Sequence, residues 1–106
     1  MTLTEIAAEC AAGNIKWTAH ALERMQERDI ERTDVIACIK NGRIIEQYLE
    51  SYPYPACLIL GKVKNANSLV MPIHVVVGQG NGYIWVITAY IPDETEWING
   101  FSMRKE

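Results

Sequence analysis

The feature that most constrains this chain is a change of hydrophobic period at Gly42. From Arg43 onward, "RIIEQYLE" alternates loosely, while "ACLILGKV", "PIHVVV" and "YIWVITAYI" are near-continuous apolar runs rich in β-branched residues. Runs of this kind are strands covered on both faces, or nearly so. "YPYP" and "KNANS" separate the first three, and "GQGNG" makes the last link a hairpin. Every link after Gly42 is too short for a crossover helix, so consecutive strands pair antiparallel. Pro72 fits the first residue of its strand, where no ladder donor is required.

Upstream of Gly42 the period is helical. Thr2 and Glu5 form a capping-box pattern that opens a first helix ending near Gly13. A short extended piece, "NIKW", leads to Thr18, which has the character of an N-cap for a second helix, with Trp17 and Leu22 spaced as a hydrophobic staple. A third helix follows Glu31, stapled by Ile30 and Val35, with Asp34 in its first turn, and stops at Asn41-Gly42. The expected architecture is α+β: one domain over residues 1–106, with N-terminal helices packed on a four-stranded, mainly antiparallel curved sheet. The remaining "PDETEWINGFSMRKE" is short and charged, with Trp97 and Phe101 as anchors.

The second helix carries an unusual charge pattern, "HALERMQERDI". His20, Arg24 and Arg28 are four apart and form one column, which Arg32 extends if the helix runs on; Glu23, Glu27 and Glu31 form a second. Like charges at i,i+4 cost a few tenths of a kcal/mol each, and the i,i+3 pairs between the columns offset part of that. A helix selected for its own stability would stagger the signs, so the segregation concentrates a cationic strip. The net charge of −3 and a pI near 5.4 argue against a protein that coats nucleic acid by charge alone. Any such chemistry needs a local basic patch of this kind.

The N-terminal "MTLTEIAAEC" carries acids where a signal peptide carries positive charge, and no apolar run approaches the length of a membrane span. Cys10, Cys38 and Cys57 are odd in number and far apart, without a C-x-x-C pair, which reads as buried free thiols in a cytoplasmic protein with no obvious metal or cofactor site.

Four segments in order, H-A-x-E-R-M-x-E-R-x-I at 20–30, "NGRIIEQY" at 41–48, "PIHVVV" at 72–77 and "ITAYIPD" followed by Trp97, resemble the domain-of-unknown-function family numbered 4258. The resemblance runs from about Ile15 to Arg104. That family is similar to the small bacterial toxins of the RelE, ParE and MqsR type, compact folds of helices on a curved antiparallel sheet. Many of these cleave messenger RNA without a metal. The resemblance therefore implies the toxin of a toxin–antitoxin pair. Its substrate would be RNA, and its partner an antitoxin from an adjacent gene, with a DNA-binding pattern or a zinc knuckle.

Metal-free RNA cleavage sets the 2′-OH against the adjacent phosphate. It requires a base for that hydroxyl, an acid for the leaving 5′-oxygen, and positive charge on the phosphate oxygens. The chain has two histidines, His20 and His74. His20 lies on the column with Arg24 and Arg28, the natural phosphate clamps. If Val77 pairs with Tyr83, then Val86, Thr88 and Tyr90 share a face with His74. The candidate catalytic residues are His20, His74 and Tyr90, and the candidate phosphate-binding residues Arg24, Arg28 and Thr88. Simpler readings stay open: a solvated helix face for the column, a hydrogen-bonded core histidine for His74, ordinary strand formers for Thr88 and Tyr90. Two other functions also stay open. One is a non-catalytic module that binds a protein target; the other is a homo-oligomer joined through the sheet or the Trp97/Phe101 tail.

Overall fold

The computed structural model describes residues 1–105. Three helices, α1 (Leu3–Ala11), α2 (Ala19–Glu27) and α3 (Arg32–Asn41), cover one face of a mixed five-stranded sheet. The strands are β1 (Ile15–Trp17), β2 (Arg43–Tyr48), β3 (Ala56–Lys64), β4 (Val70–Gly80) and β5 (Tyr83–Tyr90), in the order β1-β5-β4-β3-β2. β2 to β5 form the antiparallel meander that the short links demand. The sheet is not four-stranded and antiparallel throughout, however, because "IKW" adds to it as β1, parallel to β5 with Ile15 opposite Ile84. A three-residue segment has too little pattern of its own to announce a strand, and its partner lies at the far end of the chain.

The helix ends follow the caps. Thr2 and Thr18 accept from the backbone N–H of Glu5 and Ala21 (3.2 and 3.0 Å), and the Glu31 N–H donates to the Asp34 carboxylate at 2.9 Å. α2 stops at Arg28, and Asp29 turns the chain through a left-handed conformation (φ 58°), so Arg32 begins α3 and does not extend the cationic column. Gly42 ends α3 with φ −87°, an ordinary angle; it is glycine because a Cβ there would lie 2.5 Å from both the Cys38 and Leu60 carbonyl oxygens. The β4–β5 hairpin closes on Asn81-Gly82, both at positive φ, which is the two-residue turn that matches strand twist.

The core lies between the helices and one face of the sheet. Ile6, Ala21, Met25, Val35, Cys38 and Ile39 meet Cys57, Ile59, Ile73, Val75, Val77, Ile84, Val86 and Ala89. All three cysteines are buried free thiols, and burial pushes Cys38 up to about 12 and Cys57 up to about 11. Pro72 is the third residue of β4 and not its first. It is tolerated because β5 ends at Tyr90 opposite His74, so at Pro72 the strand has a neighbour on the β3 side alone. A small hairpin of β6 (Trp97–Ile98) and β7 (Met103–Arg104) packs on the second face through Trp97, which is 4% exposed. No helix among the described residues is long and apolar enough to cross a membrane.

Candidate functional site at the outer edge of strand β5

β1 accompanies β5 only as far as Val86, so the outer edge of β5 from Ile87 to Tyr90 has no strand beside it. α2 closes this edge with polar groups. The Thr18 N–H donates to the Val86 carbonyl at 3.2 Å, the Thr18 hydroxyl to the Ile87 carbonyl at 3.4 Å, and the Arg28 guanidinium to the Ala89 carbonyl at 2.8 Å. Edge carbonyls that would otherwise face solvent are thereby satisfied. Ala21 and Met25 turn into the core, which leaves His20, Arg24 and Arg28 on the outer side of the helix. His20 is exposed, and Arg24 forms a 2.6 Å ion pair with Glu27. Arg28 commits one of its five N–H donors to the strand and keeps the others for a ligand.

On β5 the register shifts by one residue between Val86 and Thr88, a bulge at Ile87. Gly80 pairs with Tyr83, Val77 with Val86, Val76 with Thr88 and His74 with Tyr90. The pairing of Val77 with Tyr83 therefore does not occur, and Val86 joins the core face with Val77. Thr88 and Tyr90 do share the face of His74, because the bulge restores the parity that the tighter turn changes. The structure brings His74, Tyr90 and Thr88 to one face and places Arg28 at its rim, close enough for its charge to act on the Tyr90 phenol.

His74 is fully buried and bonded at both nitrogens. Nε2 lies 2.9 Å from the Phe101 carbonyl and Nδ1 3.2 Å from the Tyr90 hydroxyl. A carbonyl only accepts, so in the neutral ring Nε2 carries the proton and Nδ1 accepts from Tyr90. The Tyr90 oxygen, its proton so committed, keeps lone pairs that can accept a further hydrogen bond. Tyr90 and Trp97 meet the imidazole edge-on, with ring centroids 5.2 and 4.4 Å away. Burial pushes His74 below its ordinary value; the Phe101 carbonyl and the Glu46 carboxylate pull it up without reversing that. Burial also raises Tyr90, which keeps the phenol protonated. His74 is thus a positioning group for Tyr90, and the sheet separates it from His20, so the two histidines do not form a pair.

A second polar cluster on the same face gave no signal in the sequence. Arg104 of β7 holds Glu46 of β2 with two nitrogens (2.9 and 3.1 Å), Tyr48 donates to the same carboxylate, and the guanidinium lies 4.8 Å over the Trp97 ring. Burial alone would raise Glu46, but the hydrogen bonds from Arg104 and Tyr48 outweigh it and hold the carboxyl below its ordinary value. The i,i+2 spacing of Glu46 and Tyr48 marks them as one face of a strand, but nothing local points to a partner at Arg104.

No curated protein and no solved structure matches the chain significantly. Residues 17–91 match the family model described as Domain of unknown function (DUF4258). The match begins at the last residue of β1 and ends just past β5, so it takes in His20, Arg24, Arg28, His74, Thr88 and Tyr90, and leaves out α1 and the β6–β7 hairpin. With the α2 motif, the meander and the Tyr90 strand end all inside the matched region, the chain belongs to the DUF4258 family.

Proposed function

We propose that this chain is the toxin of a bacterial toxin–antitoxin pair, related in fold to the RelE, ParE and MqsR group. In this reading it acts in the cytoplasm as a metal-independent endoribonuclease on mRNA. The observation that carries this reading is the junction of α2 with the open edge of β5, where Arg28, the last residue of the cationic column, bonds the Ala89 carbonyl next to the histidine-anchored Tyr90. An RNA phosphate at this edge meets the free N–H groups of Arg24 and Arg28 and the Thr88 hydroxyl. The Tyr90 oxygen, its own proton committed to His74, accepts from the ribose 2′-OH and orients it. His20 is the exposed imidazole of the column and serves the proton transfer. In the step itself the 2′-oxygen bonds to phosphorus and the bond to the 5′-oxygen breaks. The 2′-hydroxyl proton goes to the His20 imidazole and the leaving oxygen takes one from water, yielding a cyclic phosphate and a 5′-hydroxyl.

An antitoxin from the adjacent gene would cover the strip in the resting pair. The test is induced expression of the isolated chain in bacteria, with growth and transcript integrity followed together, and RNA cleavage by the purified protein in chelator. Growth arrest with cut transcripts, both abolished in Tyr90→Phe and weakened in Arg24→Ala, is the expected result. Intact transcripts and normal growth at high soluble expression would overturn it. A second reading, a non-catalytic protein-binding module, draws on two adjacent apolar residues left 61% and 60% exposed, Leu69 and Val70.

A further inference from the structure

We infer that a cavity beside β2 and β3 is a nucleotide-binding subsite, with its base against Phe101 and its phosphate toward Arg43 and Lys62. The cavity has a volume of ≈ 800 Å³ and lies where the end of α3 meets β2, β3 and the start of β4. That size suits one small ligand. Its apolar wall includes Leu60, Met71 and Phe101, and its polar groups are the Asn41 amide and the Arg43 and Lys62 cations. No carboxylate lines it, and among the described residues neither cation forms an ion pair. In a chain of net charge −3, a cavity walled by unpaired cations selects an anion.

Phe101 specifies what kind of anion. Its backbone sits at φ 68°, a conformation bulky side chains avoid, directly after Asn99 and Gly100 at φ 52° and 68°. The turn is held there by the buried His74, whose Nε2–H donates to the Phe101 carbonyl at 2.9 Å. A strained aromatic fixed from below by a buried hydrogen bond is a ready stacking surface, and every base has a face to stack on it. Asn41 carries a donor and an acceptor side by side, as the edge of a base requires. Phe101 also lines a smaller hollow of ≈ 380 Å³ that includes Ile91 and Pro92, the residues directly after Tyr90. Asp93 and Glu94 on that hollow repel phosphate and leave the Arg43 side as its seat.

The nucleotide is either free or one unit of a single RNA strand, and the second source rests on the ribonuclease reading above. The test is calorimetric titration of the full chain with AMP, GMP, CMP and UMP, their nucleosides, and a seven-residue 2′-O-methyl RNA that cannot be cleaved. At least one monophosphate should saturate, with its nucleoside about tenfold weaker, and Lys62→Ala and Phe101→Leu should each weaken it severalfold. Both substitutions are read beside a melting curve, and Arg43→Ala, on an exposed side chain, serves if Phe101→Leu fails to fold. Binding of the oligomer about tenfold tighter than the monophosphate supports the strand source, and equal affinity supports the free nucleotide. No saturation by any of these ligands, or binding unchanged in Lys62→Ala, overturns the subsite. RNA cleavage assayed on the same preparations keeps the two conclusions apart: cleavage without nucleotide binding removes the subsite alone, and binding without cleavage removes the ribonuclease reading alone.

Discussion

Replacing His74 by alanine removes a fully buried ring with both nitrogens bonded, and the size of the effect can be worked from its contacts. The two hydrogen bonds contribute about 1 kcal/mol each. The edge-on contacts with Tyr90 and Trp97 add roughly 0.5–1 kcal/mol apiece. The sum is about 3–4 kcal/mol, a large share of the ~5–15 kcal/mol that holds a domain together. With a urea dependence of about 1.5 kcal/mol per molar, the midpoint should fall by about 2 M. The pH dependence gives an independent reading. The folded-state value of His74 lies below its ordinary 6.5, so the unfolded chain binds the proton more readily. Stability contributed by the neutral ring is therefore present above pH 6.5 and is lost as pH falls from there through the folded value. His74→Ala should be weaker at neutral pH and should lack that part of the slope. Urea titrations of both proteins at pH 5 and pH 8 decide it. A loss under about 1 kcal/mol, or an unchanged slope between the two pH values, would refute the buried, doubly bonded assignment.

Tyr90→Phe removes one donor to His74 and should cost only about 1–2 kcal/mol in stability while RNA cleavage falls about a hundredfold or more, read by melting curve and cleavage rate on one preparation. Arg24→Ala breaks an ion pair on a partly exposed helix face and should change stability by no more than about 0.5 kcal/mol, while RNA affinity drops about tenfold and the salt dependence flattens by roughly 0.7 in log–log slope. Gly42→Ala forces a Cβ against two backbone oxygens that cannot rotate away, and should destabilise by about 1–3 kcal/mol in denaturant. Glu46→Gln should remove an acid-sensitive component: the carboxyl is held below 4.5, so the stability it contributes is present above that pH and lost as pH falls through its lower folded value.

What the chain reveals in its sequence is what local chemistry decides. Thr2, Thr18 and Asp34 act as caps where their positions before apolar periods place them, and the four long runs after Gly42 form a meander because their links permit nothing else. The extended course of "NIKW" was legible, but its pairing as β1 was not, since three residues hold no period and their partner is 69 residues away. The bulge at Ile87 was not legible either; it decided whether Thr88 and Tyr90 faced His74, and a bulge has no composition of its own. For the site, the charge column came from spacing, whereas the shared face of His74, Thr88 and Tyr90 was expected from a register that does not occur and is restored by the bulge. That Arg28 would spend a donor on the Ala89 carbonyl, and that Arg104 would cross to Glu46, depended on which distant edges remained open after folding.

The parallel pairing of β1 with β5 also has a temporal meaning. Ile15 is made well before Ile84, so the edge that α2 closes does not exist until β5 has been made. Loops of that length close slowly, and during the wait α2 has neither the Ile87 nor the Ala89 carbonyl to bind. A nascent fragment ending before Tyr83 carries the full cationic column but lacks the hydroxyl beside it. If the column and Tyr90 act together, the site they form is assembled only once β5 has been made and has docked beside α2.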